Sequence, residues 1–207
     1  MESGYIIREQ SSLEKELEGY DRSSSFIDRV VDFFRRKSIF VLAYGTGCGA
    51  VEMPPTFTSR YDAERFGISG AATPRQADVI IVSGYLSYKT LRRVIRTYEQ
   101  MSSPKYVIAL GSCTINGGMY WDSYNTVKRL DLYLPVDVYA NGCMPRPESI
   151  LDAFIALQKR IEYGEEKGGW ERYIENIDYY RENQRAVLGD DIHPAYEADW
   201  YSSGGAL

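Results

Sequence analysis

Four short apolar runs, separated by helical patterns, constrain this chain more than any other feature. Ser38–Ala43, Asp78–Ser83, Tyr106–Leu110 and Leu134–Tyr139 are rich in β-branched and apolar residues, which predicts strands buried on both faces. Ile27, Val30, Val31 and Phe34 come after a Ser-rich stretch able to cap a helix, and recur at i, i+3, i+4, i+7. Leu91, Val94, Ile95 and Tyr98 repeat that spacing. So does Glu148–Ile161, through Ile150, Leu151, Phe154, Ile155 and Ile161, entered by Pro145 and Pro147 and stopped at Gly164. Residues Tyr120–Arg129 are expected to form the helix between the third and fourth strands. Strands alternating with helices imply βαβ units, hence an α/β fold with an open parallel sheet of about four strands. A single domain is expected over residues 1–207, with its core in 24–162. Residues 163–207 read as a peripheral C-terminal extension, because their aromatics lack a clean period and suit contact with a partner.

Charge and hydropathy narrow the partners. The net charge of −5, from 24 basic and 29 acidic residues, gives no electrostatic case for nucleic acid. No apolar run approaches the roughly 18–20 residues that a membrane span needs. The opening MESGYIIREQSSLEKELEG is polar and acidic, unlike a signal peptide. A soluble, intracellular chain is expected, with any membrane attachment made through partners or a surface helix.

The 3 cysteines, Cys48, Cys113 and Cys143, are odd in number and far apart, which does not resemble a disulfide framework. No C-x-x-C pair supports a zinc finger. Their placement is informative: Cys48 comes after the first predicted strand, Cys113 after the third and Cys143 after the fourth. Open parallel sheets bind ligands beyond the carboxyl ends of their strands, so three scattered thiols are expected to meet at one rim. Their loops, YGTGCGA, GSCTINGG and NGCMPRP, all place glycine beside or near the cysteine. Glycine lets backbone approach closely and offers N–H groups to sulfur, as iron–sulfur sites require. The expectation is a shared metal site.

From Ser38 to Ile161 the chain resembles the small cluster-binding subunit of respiratory complex I and of energy-converting hydrogenases. The resemblance rests on CGAVEM at Cys48–Met53, RYDAERFGI at Arg60–Ile68, TPRQADVIIVSG at Thr73–Gly84, YVIALGSCTINGGMY at Tyr106–Tyr120, and LPVDVYANGCMPRPESILDAFIALQ at Leu134–Gln158. It implies a flavodoxin-like fold and one [4Fe–4S] cluster, ligated by Cys48, Cys113 and Cys143, at the end of an electron-transfer chain. It also implies partners: a large hydrogenase-like subunit similar to the 49 kDa subunit of complex I, a ferredoxin-like subunit, and membrane subunits that move ions. The implied location is peripheral, on the cytoplasmic side of the cell membrane.

The chain departs from that pattern at one point. Complex I members carry adjacent cysteines, and hydrogenase relatives a C-x-x-C pair, where this chain has Gly49 and Val51. A cube with three thiolates leaves one iron for water, Glu52, a neighbouring subunit or a substrate, and soft sulfur suits it best. The string from Gly45 to Asp78 resembles the branch of membrane-bound sulfane-sulfur reductases, which implies an oxidoreductase subunit reducing persulfide or polysulfide beside Gly49. Pro54-Pro55 is expected to reshape the loop that lies near the quinone headgroup in complex I relatives. Two other readings remain: a relay to quinone or protons, with Glu52 or a partner as fourth ligand, and a metal-free structural subunit.

Other residues carry weaker expectations. Arg75 matches an arginine that the resemblance places near the cluster, where a cation stabilises the reduced state. Gly49 and Thr114, neighbours of two ligands, join Glu52 as residues expected to back the ligand set. Asp62, Arg60 and Arg65 are expected to form an interface with the large subunit. Lys89, Arg92, Arg93 and Arg96 share a helix face opposite the Leu91 stripe, suited to anionic lipid or an acidic partner. His193, in a polar tail, is a poor candidate for catalysis. No P-loop is present, and GTGCGA lacks the spacing of a dinucleotide fingerprint.

Overall fold

Two strands with no polar face fix the centre of the molecule. β3 (Val79–Ser83) and β4 (Tyr106–Leu110) are buried at every residue, as strands covered on both sides must be. A computed structural model describes residues 26–143, 145–163 and 168–189. Around that pair it sets β1 (Ile39–Gly45), β2 (Ile68–Gly70) and β5 (Val138–Ala140), in the order β2-β1-β3-β4-β5 with every neighbouring pair parallel. This is the flavodoxin-like order, and the α/β expectation holds. The sheet has five strands rather than about four. β2 has 3 residues, too short to leave a pattern.

One face of the sheet is covered by α2 (Gly49–Thr56) and α5 (Pro147–Tyr163), and α1 (Phe26–Lys37) packs against α5. Its core gathers Val41, Met53, Ile81, Ile108, Ile150, Phe154 and Leu157. The other face is covered by α3 (Tyr88–Gln100), α6 (Gly169–Glu175) and α7 (Ile177–Leu188), around Ile80, Val82, Leu91, Val94, Ile95, Tyr98 and Tyr173. The Leu91 stripe is fully buried as its spacing predicted. Ser87 caps that helix by accepting the Thr90 N–H at 3.2 Å.

Three expectations are corrected. Residues 120–129 form no helix; they run through turns, with short 3₁₀ segments at Gly118–Tyr120 and Leu130–Leu132. There the Lys128 ammonium donates to the carbonyls of Tyr120 and Ser123, each at 2.6 Å, binding a loop. In α1, Val30, Val31 and Phe34 are exposed and do not belong to the core. Within 168–189, Trp170, Tyr173 and Ile177 are buried, so these residues complete this chain's own second face instead of waiting for a partner. Gly164 and His193 lie outside the described residues.

Asp137 pins that last segment. Its buried carboxylate accepts the N–H of Val107 at 2.8 Å, the N–H of Gly169 at 2.7 Å and the Arg172 guanidinium at 3.3 Å. A side chain at Gly169 would meet the carboxylate at 2.6 Å, so only glycine fits. Burial outweighs these donors and pushes the carboxyl up from 3.8 to about 6. The native state therefore holds this proton more tightly than the unfolded chain. That contribution is complete below about pH 4 and is lost as pH rises through 6, an effect of roughly 3 kcal/mol. Melting curves at pH 4 to 7 are expected to show this slope in the parent chain and not in Asp137→Asn. Equal slopes would contradict the assignment.

Candidate metal centre at the carboxyl rim

All three cysteines stand at the carboxyl rim of the sheet, each held by a different strand. Cys48 lies between β1 and α2, and Thr46 ties its loop to β3 through N–H and hydroxyl bonds to the Ser83 carbonyl, both 2.9 Å. Cys113 sits in α4 (Ser112–Asn116), which begins directly beyond β4. Cys143 lies just after β5. The second and third loops are joined: Gly111 N–H donates to the Ala140 carbonyl at 2.8 Å, and Ser112 N–H to the Gly142 carbonyl at 2.9 Å. Cys48 and Cys143 are exposed, and Cys113 is half-buried.

The thiols are near enough to sense one another. Burial pushes the Cys113 thiol up, a bond from the Met119 N–H opposes this, and the negative potential of Cys143 and Cys48 adds to the rise. A thiol held up by two neighbouring cysteines is in a position that a cationic metal centre would relieve. Among the described residues no group of three or more His, Cys, Asp or Glu side chains is placed to hold a single metal ion. A polynuclear cluster has each thiolate on a different metal atom, so its ligands stand further apart.

The chain around Cys113 fits such a cluster. Gly117 and Gly118, at φ of 86° and 52°, double the backbone over the cysteine; a Cβ on Gly118 would sit 3.0 Å from the Cys113 sulfur. The Asn116 carboxamide accepts the Gly118 N–H at 2.9 Å and shapes this turn, which brings the Met119 N–H to sulfur. The sequence gives Asn116 and Met119 no role beyond turn and packing; the Gly-Gly pair is the signal for the cradle.

Gly49 and Thr114 have structural duties. A Cβ on Gly49 would lie 2.6 Å from both the Gly84 N and the Ser83 Cβ, so the backbone entering α2 rests on the end of β3. Thr114 is buried and donates its hydroxyl to the Gly111 carbonyl at 2.9 Å. Glu52 is half-buried on α2, four residues after Cys48 and on the same helix face. Pro54 and Pro55 lie inside α2 and not in a loop, and their missing N–H groups leave the Ala50 and Val51 carbonyls without helical donors. Asp62 is exposed on the connection to β2, held at φ 45° with its N–H on the Thr58 carbonyl at 2.8 Å. Beside it Arg60 and Arg65 lie over the rings of Tyr61 and Phe66.

Arg75 does not join the thiols. It precedes β3, exposed, at the amino-terminal rim, with about 13 Å of strand between Val79 and Ser83 separating the two rims. The basic face of α3 is partly used as well, since Arg92 donates to the Leu188 carbonyl at 3.2 Å. Around the thiols runs an apolar collar instead. Val51 is 63% exposed, Met119 73% and Trp121 70%, and the Tyr85 ring lies against Gly47 and 4.9 Å from the Tyr120 ring.

A five-stranded parallel sheet of this order, gathering three thiols at its carboxyl rim, defines a flavodoxin-like α/β protein with three cysteines where such folds bind cofactors. Residues 46–157 match the family described as NADH ubiquinone oxidoreductase, 20 Kd subunit, and the chain belongs to that family. It is 40% identical to the NAD(P)H-quinone oxidoreductase subunit K of Phaseolus vulgaris chloroplasts, over 84% of this chain and 79% of the relative. It is 48% identical to subunit K of Thermosynechococcus vestitus, over 69% of this chain and 61% of that one. Among solved structures it matches a chain of the membrane-bound sulfane sulfur reductase, an archaeal respiratory membrane complex. That match has a TM-score of 0.76 and 49% identity, over 86% of this chain and 95% of the other. No helix among the described residues is long and apolar enough to cross a membrane.

Proposed function

We propose that this chain is the electron-transfer subunit of a membrane-bound respiratory oxidoreductase, that Cys48, Cys113 and Cys143 hold one [4Fe–4S] cluster, and that its acceptor is sulfane sulfur. The observation that carries the acceptor is Gly49. The position where complex I relatives place a further cysteine is closed by the backbone of β3, and the chain has only 3 cysteines. When bound, the cluster supplies one-electron transfer and an iron open to a sulfur donor. This chain's residues fix the three thiolates, donate the Met119 N–H to Cys113, and present Val51, Met119 and Trp121 as a surface that a large hydrogenase-like subunit covers. A ferredoxin-like subunit and ion-translocating membrane subunits complete the assembly, with this chain peripheral on the cytoplasmic side. Likeness to the archaeal sulfur reductase supports the reading.

Mild oxidation of the purified complex is expected to remove one iron readily and produce a [3Fe–4S] EPR signal. A cluster that resists this loss would count against the open iron. Likeness to subunit K favours a second reading, a relay to quinone. Acceptor assays separate the two: polysulfide and not quinone is expected to be reduced. Met53 is 3% exposed in the core, so a substitution there would report on packing before it reported on quinone.

A further inference from the structure

Ser83, the last residue of β3, has no exposed surface, and its hydroxyl has no hydrogen-bond partner among the described residues. Its carbonyl, by contrast, accepts two bonds from Thr46. Leaving a buried hydroxyl unpaired is costly, and an alanine of similar size would fill the space without that cost. The position of the hydroxyl is therefore informative. Ser83 pairs in register with Gly45 on one side and Leu110 on the other, so it lies between the strand leading to Cys48 and the strand leading to Cys113. Its Cβ lies where a side chain on Gly49 would stand, with 2.6 Å between them. The unpaired donor thus belongs to the residue packed against Gly49, the position directly after Cys48.

We propose that the Ser83 hydroxyl is a hydrogen-bond donor held for the sulfur ligands of the cluster beside Gly49, where it acts as a positioning and potential-setting residue. The inference rests on the three-cysteine cluster reading. A donor directed at sulfur favours the reduced, more negative state and raises the reduction potential. The Met119 N–H serves Cys113 in this way, and Ser83 is its counterpart on the Cys48 side.

The test uses the purified complex carrying Ser83→Ala or Ser83→Thr, with potentials measured by EPR-monitored redox titration. The alanine variant is expected to keep its iron and thermal stability while its midpoint potential falls. The threonine variant, which retains the hydroxyl, is expected to stay near the parent value. Loss of iron from the alanine variant alone would also support a contact made by the hydroxyl. An alanine variant at the parent potential, equal shifts in both variants, or loss of iron from both would overturn the proposal. Failure of the underlying reading looks different, because the unsubstituted complex would then carry no cluster signal from this subunit.

Discussion

Cys113→Ser is expected to leave the assembled complex without this subunit's cluster. Of the three thiols, Cys113 is the half-buried one, it takes the Met119 N–H, and Gly118 is folded over it at a distance that admits no side chain. Serine offers a harder oxygen that is protonated at neutral pH, and it stands in a cradle whose glycines and N–H are arranged for sulfur. Cys48 and Cys143 are exposed and cannot hold a cubane as a pair. The expected result is loss of the EPR signal and a fall of at least a hundredfold in acceptor reduction, about 2.7 kcal/mol in transition-state terms. The fold is expected to persist, because Cys113 belongs to neither core cluster. Thr114→Val gives the contrasting outcome. It removes the hydroxyl bond to Gly111 and is expected to destabilise the chain by about 1 kcal/mol while the iron stays. Iron retained at parent stoichiometry in Cys113→Ser would defeat the ligand assignment.

The parts of this molecule legible in its sequence are those governed by local periodicity. β3, β4 and the Leu91 stripe are buried all along, and nothing outside the chain decides that. The rim location of the cysteines was equally legible, because the loops leaving the strands of a parallel sheet all emerge at one edge. Arg75 shows the same rule neglected: it precedes its strand whereas every cysteine comes after one, so order alone places it at the other rim. The resemblance had drawn it to the cluster. The exposed stripe of α1 carries core-like spacing, and nothing in that spacing says whether the covering surface belongs to this chain or to another. Asp137 was overlooked because it sits within an apolar run. A charge inside a buried apolar run is itself a signal, since it must find donors, and here they come from Val107, Gly169 and Arg172. The close approach of Gly49 to Gly84 has no sequence signature, because it depends on which loop crosses which helix start.

That close approach decides how a fourth thiolate can be introduced. Gly49→Cys recreates the adjacent pair of complex I relatives, yet its Cβ would lie 2.6 Å from the Gly84 N and 2.8 Å from the Ser83 carbonyl carbon. Neither can move cheaply. Ser83 is paired on both sides, and Gly84 is held at φ 81° where any side chain would strike the Thr46 carbonyl. Gly49→Cys is therefore expected to cost about 3 kcal/mol or more through overpacking and to lower the amount of assembled complex. Val51→Cys avoids this obstacle. Val51 is exposed, its N–H bonds the Cys48 carbonyl at 3.1 Å, and residues three apart share one helix face. A thiol there recreates the C-x-x-C spacing of the hydrogenase relatives without a backbone clash. The expected variant assembles normally, resists oxidative loss of iron and reduces polysulfide at least a hundredfold more slowly, about 2.7 kcal/mol. Its electron uptake from the donor side is expected to be preserved. Polysulfide reduction at the parent rate by a Val51→Cys complex whose iron has become resistant to loss would show that the open iron is not where sulfur is reduced, and the quinone relay would then be the better reading.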